Sequence, residues 1–378
     1  MNILYVACGI PLPGTLGGST HAREVARGLA ERGHVVHVVA APAQQSLASL
    51  AIPGVTVHTL AVPKLLSFLG DRQIDRWCGR IAPDVVMERY YNFAGGGLRA
   101  AARRGIPTVL EVNAAIIDPP AVLKRRIDDL LGGPLRRAAV AQCRLAGRIV
   151  TPLASTVPDA IARERIVELP WGAAVERFTP AGDEPARPAH VVFLGSFRGW
   201  HGAADVVRAC GRLYDAGMQF ACTLIGDGPE RAAVAALAAR WPGRFRFCGA
   251  VPYERVPALL AGATIGVAPF DTTRHPALRA AGFFWSPLKV YEYMAAGLPV
   301  VTTDLPPLNR IIRAGQEGEL FAEGDVAALA RALERLLRDP SRASALGRAA
   351  RERVVAHYSW ARHCAELERI MQQLVTHG

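Results

Sequence analysis

Short apolar runs alternate with stretches of helical periodicity along the whole chain. In the first part these runs are NILYVA, HVVHVVA, VTVHTL, DVVME, PTVLEV and RIVTP. Between the first two, apolar residues recur at helical spacing, at Ala22, Val25, Ala26, Leu29 and Ala30, and Gly33 follows as a stop signal. Strands that alternate with helices in this way predict a parallel sheet covered by helices.

The same rhythm restarts after a polar, proline-rich segment. Residues 178–190 read FTPAGDEPARPAH, a composition typical of an exposed linker. The runs that follow are HVVFLGS, FACTLIGDG, RFRFCGAV, TIGVAPF and LPVVTTD. We therefore expect two α/β domains, residues 1–180 and 181–357, with an amphipathic helix over 358–376 that joins the first domain.

Composition and charge narrow the class of protein. The chain has 378 residues, of which 51% are hydrophobic and 20% charged, so it can bury large cores and is not a disordered chain. Its net charge of +11 favours an anionic partner, which could be nucleic acid, a membrane surface or a phosphorylated small molecule. Nucleic acid ranks last, because no zinc-finger or RNP-like pattern is present.

Cysteine usage and hydropathy bear on the compartment. The seven cysteines are scattered and form no Cys-x-x-Cys pair, which is typical of buried thiols in a cytoplasmic protein. The opening MNILYVACG has no basic region before a short apolar stretch, so we expect no signal peptide. No run approaches the ~20 apolar residues of a membrane span. We expect a cytoplasmic protein.

The segment after the first strand is a candidate phosphate site. Gly17 and Gly18 precede Ser19, which is a suitable N-cap for the following helix. Glycines let the backbone approach a ligand, and a helix N-terminus offers N–H groups to a phosphate. The pattern is not G-x-G-x-x-G, so a dinucleotide fingerprint is absent, and a plain strand-to-helix turn is an equal alternative.

A second candidate phosphate site lies in FFWSPLKVYEYMAAGLPVV. Ser286 as N-cap, Pro287 at the first helical position and Gly297 at the end predict a helix of about ten residues. Its first turn would direct backbone N–H groups at a diphosphate, those of Leu288, Lys289 and Val290.

Glu292 lies on the same predicted helix, about 6 Å beyond Leu288 at ~1.5 Å per residue. This position suits a carboxylate that binds ribose hydroxyls while the diphosphate caps the helix. The alternative is a capped surface helix on which Lys289 and Glu292 are simply solvated.

These stretches together resemble a known family. The ordered motifs are GGSTHAREVARGLAERGH, LPWGAAVERFTP, GSFRGWHGAADVVRA, LIGDGPER, FCGAVPYERVPALLAGATIGVAPF, SPLKVYEYMAAGLPVV and YSWARHCAEL. They resemble the retaining GT-B glycosyltransferases of family 4, or glycosyltransferase group 1. The resemblance implies two Rossmann-like domains that face an interdomain cleft, and transfer of a sugar, of the hexosyltransferase type, from a nucleoside diphosphate to an acceptor hydroxyl.

The resemblance also assigns roles to individual residues. It makes Gly17 and Gly18 a loop facing the donor diphosphate, Glu292 the ribose-binding carboxylate, and Val251 the neighbour of the nucleobase. Arg198 and His201 fall where relatives usually carry an Arg and a Lys on the phosphates, so His201 replaces the lysine and Arg198 becomes the better permanent charge. The catalytic candidates are Arg198, Lys289 and Glu292.

Two departures from the family pattern affect the expected site. The carboxylate that relatives carry eight residues before Glu292 is replaced by Phe284, and Lys289 belongs to an S-P-L-K variant of the phosphate cradle. Many relatives have a histidine where this chain has Asn113. Acceptor contacts are expected from 88–92 and 113–118, and the candidates on that side are His21, Arg89 and Asn113.

We expect a metal-independent enzyme without a cofactor, since helix N-termini and cations can stabilise the leaving diphosphate. No Asp-x-Asp pair or metal-ligand spacing is present. The donor would be a nucleotide sugar, a UDP-sugar in preference to a GDP-sugar, and the acceptor a small molecule or glycan. The alternatives are a catalytically silent nucleotide-sugar-binding protein and a GT-B-shaped epimerase or phosphorylase.

A basic segment bears on membrane contact. Residues 121–150 read AVLKRRIDDLLGGPLRRAAVAQCRLAGRIV, in which cations are interleaved with apolar residues at roughly helical spacing. Such a segment can lie on an anionic bilayer. The alternative is a pair of ordinary helices whose apolar side packs on the sheet. We expect membrane contact to be peripheral at most and sensitive to salt.

Overall fold

The computed structural model describes residues 1–14, 17–43, 51–180 and 189–377. The chain divides into two compact units. The first contains Met1–Trp171, Phe284–Ser286 and the chain from Trp360 onward, and the second contains Gly172–Phe283 and Pro287–Ser359. Both are α/β units built on a parallel sheet, which confirms the predicted fold class.

The division falls at Trp171 and not at 180/181, where the sequence places it. The backbone N–H of Ala173 donates to the carbonyl of Tyr358 at 2.8 Å. The Arg351 guanidinium donates to the carbonyls of Val175 at 3.0 Å and Phe178 at 2.8 Å. These bonds attach the segment after Trp171 to the second unit. Residues 181–188 of the expected linker lie outside the described residues.

Seven described strands form the sheet of the first unit. They are β1 Asn2–Pro11, β2 Val35–Ala41, β3 Val55–Thr59, β4 Val85–Arg89, β5 Thr108–Glu111, β6 Arg148–Thr151 and β7 Ile166–Glu168. Their order is β3-β2-β1-β4-β5-β6-β7, and the described neighbours pair in parallel. The order reverses between β1 and β4. In open parallel sheets ligands bind at such a switch point, beyond the carboxyl ends of the strands.

The helices of the first unit cover both faces of this sheet. They are α1 Gly17–Glu31, α2 Asp71–Ile81, α3 Gly96–Ala102, α4 Leu123–Leu130, α5 Pro134–Leu145 and the C-terminal α14 Trp360–His377. α1 and α14 pack closely, since a Cβ at Gly28 would lie 2.5 Å from Sγ of Cys364. α1 begins at Gly17, so Ser19 lies buried inside the helix and is not the expected N-cap.

The second unit has six described strands. They are β8 His190–Leu194, β9 Ala221–Ile225, β10 Phe245–Gly249, β11 Ile265–Ala268, β12 Val300–Thr303 and β13 Gly318–Phe321. Their order, β10-β9-β8-β11-β12-β13, reverses between β8 and β11. The helices are α6 Ala203–Asp215, α7 Arg231–Ala238, α8 Val256–Ala261, α9 Pro276–Ala281, α10 Leu288–Ala295, α11 Leu308–Ile311, α12 Val326–Arg338 and α13 Pro340–His357.

Apolar residues from strands and helices form the core of the second unit. Val191 and Phe193 of β8 pack with Val206 and Val207 of α6 and with Leu333 of α12, and all five are fully buried. The near-continuous apolar character of β8 is what a strand covered on both faces requires.

The seven cysteines are free; six are buried and Cys248 is half-buried. No helix among the described residues is both long and apolar enough to cross a bilayer.

Candidate functional site

The helix α10 is held at the switch point of the second sheet by Tyr293. The Tyr293 hydroxyl accepts a hydrogen bond from the N–H of Leu194 in β8 at 2.6 Å and donates one to the carbonyl of Val267 in β11 at 3.2 Å. A Cβ at Gly266 would lie 2.5 Å from the tyrosine ring, so only glycine allows this approach. The sheet thereby fixes the start of α10 beside the carboxyl ends of β8 and β11.

The start of α10 differs in two details from the prediction. Ser286 belongs to the first unit, where its hydroxyl accepts from the backbone N–H of Trp171 at 3.2 Å, so it is not the N-cap. Pro287 occupies the cap position instead, and its carbonyl accepts from the N–H of Val290 at 2.8 Å. The N–H of Val290 is therefore committed, and Leu288 and Lys289 supply the earlier N–H groups. The helix ends before Gly297, which has a φ of +70°.

Lys289 is a buried cation among aromatic rings. Its Nζ lies 4.5 Å from the ring centre of Phe193 and 4.7 Å from that of Phe270, and the residue is 7% exposed. Burial lowers the pKa of Lys289 to about 7, with only a partly compensating effect from the Glu292 carboxylate. The lysine can therefore gain or lose a proton near neutral pH.

His201 lies directly beside this lysine. The Lys289 Nζ donates to Nδ1 of His201 at 3.4 Å, and the hydroxyl of Ser196 is 3.3 Å from the same nitrogen. Burial, Lys289 and Arg198 together hold the pKa of His201 well below its usual value. The imidazole is neutral at pH 7 and serves as a hydrogen-bond partner, not as a second cation.

Close backbone packing makes room for this pair. A Cβ at Gly195 would lie 2.6 Å from Nζ of Lys289 and 2.8 Å from Nδ1 of His201. At Gly226, where φ is +126°, a Cβ would lie 1.9 Å from the carbonyl oxygen of Gly195. The glycines of LGSF and LIGDG are therefore needed for the two loops to pack together at the switch point, and not only for a ligand to approach the backbone.

The other expected donor residues occupy the same unit. Arg198 is exposed at the start of a short turn, Gly199–His201, that also carries His201. Glu292 is buried one turn beyond Lys289 on α10. Val251 is half-buried and follows β10, which ends at Gly249.

In the first unit, the three expected acceptor-side residues meet at one carboxylate that the sequence analysis does not name. Glu111, the last residue of β5, is 3% exposed. Its Oε1 accepts from Arg89 at 3.0 Å and from the side-chain amide of Asn113, and it lies 3.2 Å from Nδ1 of His21. Its Oε2 accepts from the Tyr5 hydroxyl at 2.5 Å. This set is called the Glu111 network below.

Trp171 completes the surroundings of this network. Its indole Nε1 donates to Oδ1 of Asn113 at 2.7 Å, and the guanidinium carbon of Arg89 lies 5.8 Å from its ring centre. His21 packs 4.4 Å from the same ring. Burial and the neighbouring Arg89 hold the pKa of His21 well below its usual value, so it is a neutral ring.

The fold explains why these residues meet. Tyr5 lies on β1, Arg89 ends β4 and Glu111 ends β5, so all three lie on adjacent strands around the switch point of the first sheet. Gly18 at the start of α1 lies beside Arg89, since a Cβ there would be 3.6 Å from a guanidinium nitrogen, an ordinary van der Waals distance. Gly17 is exposed.

Glu88 does not belong to a ligand site, although it begins the expected acceptor segment 88–92. It is fully buried, and its carboxylate accepts from the N–H groups of Gly95 at 2.7 Å and Leu98 at 2.8 Å. Burial raises the pKa of Glu88 to about 7 against the effect of these bonds. Its role is to cap α3.

A small surface pocket of about 20 Å³ lies next to the second expected acceptor segment. Its lining residues come from both expected acceptor segments, from α4 and from α5, and are Asn92, Ile116, Ile117, Asp118, Lys124, Arg125, Asp128, Leu135 and Arg136. Within the described part of the chain, no three His, Cys, Asp or Glu side chains are grouped as metal ligands would be.

Comparison with known proteins gives a consistent assignment for both units. The family model for glycosyl transferases group 1 matches residues 188–339, and that for a glycosyl transferase 4-like domain matches residues 17–163. The chain is 29% identical over 296 residues to a 2-deoxystreptamine glucosyltransferase of Streptomyces kanamyceticus, covering 72% of this chain and 73% of that protein.

Solved structures show the same fold at low sequence identity. A sucrose-phosphate synthase from Thermosynechococcus elongatus aligns over 100% of both chains with a TM-score of 0.73 and 17% identity. HepE of Anabaena, solved in complex with UDP and glucose, aligns over 99% of this chain and 100% of its own with a TM-score of 0.72 and 16% identity.

Proposed function

We propose that this chain, which has the GT-B fold, is a group 1 glycosyltransferase that transfers a hexose from a UDP-sugar to an acceptor hydroxyl with retention at the anomeric carbon. The observation that carries the proposal is Lys289, a buried ammonium group at the first turn of a helix, beside the carboxyl end of β8. A helix N-terminus and a desolvated cation are what a departing diphosphate requires.

In the proposed donor site, Lys289 and the exposed Arg198 meet the diphosphate, and His201 accepts from Lys289 to fix the position of its Nζ. Glu292 binds the ribose hydroxyls one turn further along α10, and Val251 borders the base. Charge on the leaving group is then neutralised by the protein, so the transfer proceeds without a metal ion. Phe284 supplies no carboxylate, so other groups must hold the donor sugar.

The acceptor is proposed to bind at the first unit through Arg89 and Asn113. Both are oriented by Glu111, and Arg89 keeps part of its guanidinium at the surface, with 12% of the side chain exposed. His21 is buried, so it acts on the site through Arg89. A hexose acceptor or a small hydroxyl-rich molecule suits an amide and a guanidinium, which together donate and accept hydrogen bonds.

The relatives support the donor and acceptor classes. The Streptomyces relative is named a 2-deoxystreptamine glucosyltransferase, and the Anabaena structure contains UDP and glucose. These names favour a glucose-type donor on UDP and a small-molecule acceptor over a polymer.

The test is to measure UDP release from UDP-sugars with and without candidate acceptors, for the wild type and Glu292→Ala. We expect the variant to lose donor affinity by about 1.5 to 3 kcal/mol, roughly 10- to 150-fold in Kd, because charge-assisted hydrogen bonds to ribose disappear. Glu352→Ala, an exposed position on α13, is the matched control and should be unchanged.

Other outcomes separate the alternatives. Unchanged donor affinity in Glu292→Ala would contradict the ribose assignment. UDP-sugar binding without acceptor-dependent release would instead indicate a binding protein, and conversion of the sugar without an acceptor would indicate an epimerase. Turnover that stops with EDTA and returns with magnesium would contradict the metal-free mechanism.

A further inference from the structure

The helix α4 turns its polar side toward the protein. Asp128 is 2% exposed, and its carboxylate accepts from the backbone N–H groups of Leu135 at 2.7 Å and Arg136 at 3.3 Å. These groups belong to the first turn of α5, so a buried carboxylate of α4 caps the next helix. The helix is thereby fixed with a charged residue inward, the reverse of an ordinary surface helix.

The opposite side of α4 is apolar and exposed. Leu123 is 69%, Ile127 49% and Leu130 86% exposed, and Leu131, which follows the helix, is 67% exposed. The spacing of i, i+4 and i+7 aligns the first three in one stripe about 10 Å long at 1.5 Å per residue. The alternative that the apolar side of this segment packs on the sheet is therefore wrong for α4.

Cations border this stripe. Lys124 and Arg126 are exposed, and at 100° per residue they lie on opposite sides of the stripe. Between Asp118 and Arg148 the chain has seven basic and three acidic side chains: Asp118 pairs with Lys124 at 2.8 Å, Asp129 pairs with Arg125 at 3.0 Å, and Asp128 caps α5, so four basic side chains remain in excess. The face that remains is apolar at its centre and positive around it.

The charge and the apolar character of this face indicate which partner binds it. A symmetric contact with a second copy would bring Lys124 and Arg126 against their own equivalents, and four apolar residues are few beside the roughly 20 to 30 residues a side of a stable interface. An anionic bilayer matches both features, since the acyl chains can surround the exposed apolar side chains and the lipid phosphates can pair with the cations.

We propose that α4 is a membrane-docking helix, which places Leu123, Ile127, Leu130 and Leu131 in the headgroup region of an anionic bilayer with the flanking cations on lipid phosphates. The contact combines an apolar part that salt does not weaken with an electrostatic part that salt screens. Binding to the bilayer is a property of the first unit alone and does not depend on the proposed transfer reaction.

The test is sedimentation of the full-length protein with vesicles of phosphatidylcholine alone or mixed with phosphatidylglycerol, at low and physiological salt. We expect binding to the mixed vesicles that persists at physiological salt, and a loss of roughly tenfold or more in partitioning for the Leu130→Ser/Leu131→Ser double variant. Arg126→Gln should weaken binding mainly at low salt. Val355→Ser, a similarly exposed apolar position on α13, is the control and should bind like the wild type.

Each remaining outcome overturns the proposal. Wild-type protein that does not sediment with the mixed vesicles, or a double variant that sediments equally well, contradicts docking through α4. Equal binding to neutral vesicles contradicts the role of the cations. If light scattering shows a wild-type dimer that the double variant abolishes, the stripe is an interface between copies of the chain. Circular dichroism of the double variant checks that it is folded, as expected for such exposed positions.

Discussion

Binding of a nucleoside diphosphate to the second unit should draw one proton onto Lys289. In the free protein the ammonium group lies between Phe193 and Phe270, and burial lowers the pKa of Lys289 to about 7. A diphosphate at the start of α10 brings negative charge next to Nζ and favours the protonated form. The bound lysine is then charged over the whole neutral range.

The expected uptake follows from this pKa of about 7. At pH 8 the free lysine is about one tenth protonated, so binding takes up ~0.9 proton, whereas at pH 6 it is about nine tenths protonated and takes up ~0.1. His201 is neutral at both pH values in the free protein. The proton uptake by Lys289 therefore rises with pH over this interval, and an uptake of this size identifies Lys289 as the titrating group.

Titration calorimetry with UDP measures the uptake directly. At each pH the observed enthalpy is plotted against the ionisation enthalpy of several buffers, and the slope is the number of protons exchanged. Lys289→Met removes the titrating group. Lys124→Met removes an exposed lysine of the first unit and is the matched control. Protons from UDP itself enter all three measurements equally and cancel in the differences.

A wild-type uptake at pH 8 that equals that of Lys289→Met would refute the assignment, and so would an uptake that does not change between pH 6 and pH 8. If UDP does not bind at all, the failure lies with the proposed donor and not with the lysine, and the same titration is then run with GDP, ADP and TDP.

Two further predictions concern stability and the acceptor side. Because the unfolded lysine keeps a pKa near 10.5, the folded protein bears the full cost of burying the charge below pH 7 and loses this cost as the pH rises toward 10.5. Lys289→Met should therefore raise the Tm more at pH 6 than at pH 10, and the gain in unfolding free energy has an upper bound of ~5 kcal/mol. An equal gain at both pH values would contradict this prediction. Glu111→Gln leaves Arg89 without its carboxylate and should cost ~3 kcal/mol in unfolding free energy. It should also raise the acceptor KM while the donor KM stays constant, whereas a rise in the donor KM would contradict the placement of Glu111 on the acceptor side.

The strands and the helix α10 were predictable because their signals are local. A strand buried on both faces must be apolar along its length, and HVVFLGS and TIGVAPF satisfy this without any knowledge of their neighbours. Two strands, β7 and β13, were not predicted: β7 has only three residues, and β13 contains a glycine and a glutamate that interrupt its apolar run. The expected caps at Ser19 and Ser286 are wrong for a related reason: each serine suits a cap locally, but tertiary packing buries the first and pairs the second with Trp171.

The Glu111 network was only partly predictable. Arg89 ends a strand, Asn113 follows one and His21 lies on the helix after the first strand, which are local signals, whereas Glu111 is distinguished only by the residues that surround it in the fold. The one hint in the sequence is a carboxylate inside the apolar run PTVLEV, because a charge at the end of a buried strand needs partners. Tyr5 and Trp171 come from distant parts of the chain, so their part in the network follows from the sheet order and not from spacing.

The histidine at position 201 and the lysine at position 289 form one physical arrangement. The resemblance places a lysine at 201, but here Nζ of Lys289 lies 3.4 Å from the His201 ring. Two ammonium groups at that separation would repel by ~5 kcal/mol at an effective dielectric constant of 20. A neutral histidine avoids this repulsion and accepts a hydrogen bond from the lysine. In the proposed donor site, α10 thus supplies through Lys289 the cation that relatives carry at position 201, beside Arg198. His201→Lys should therefore bind UDP more weakly in titration calorimetry unless Lys289 is removed with it.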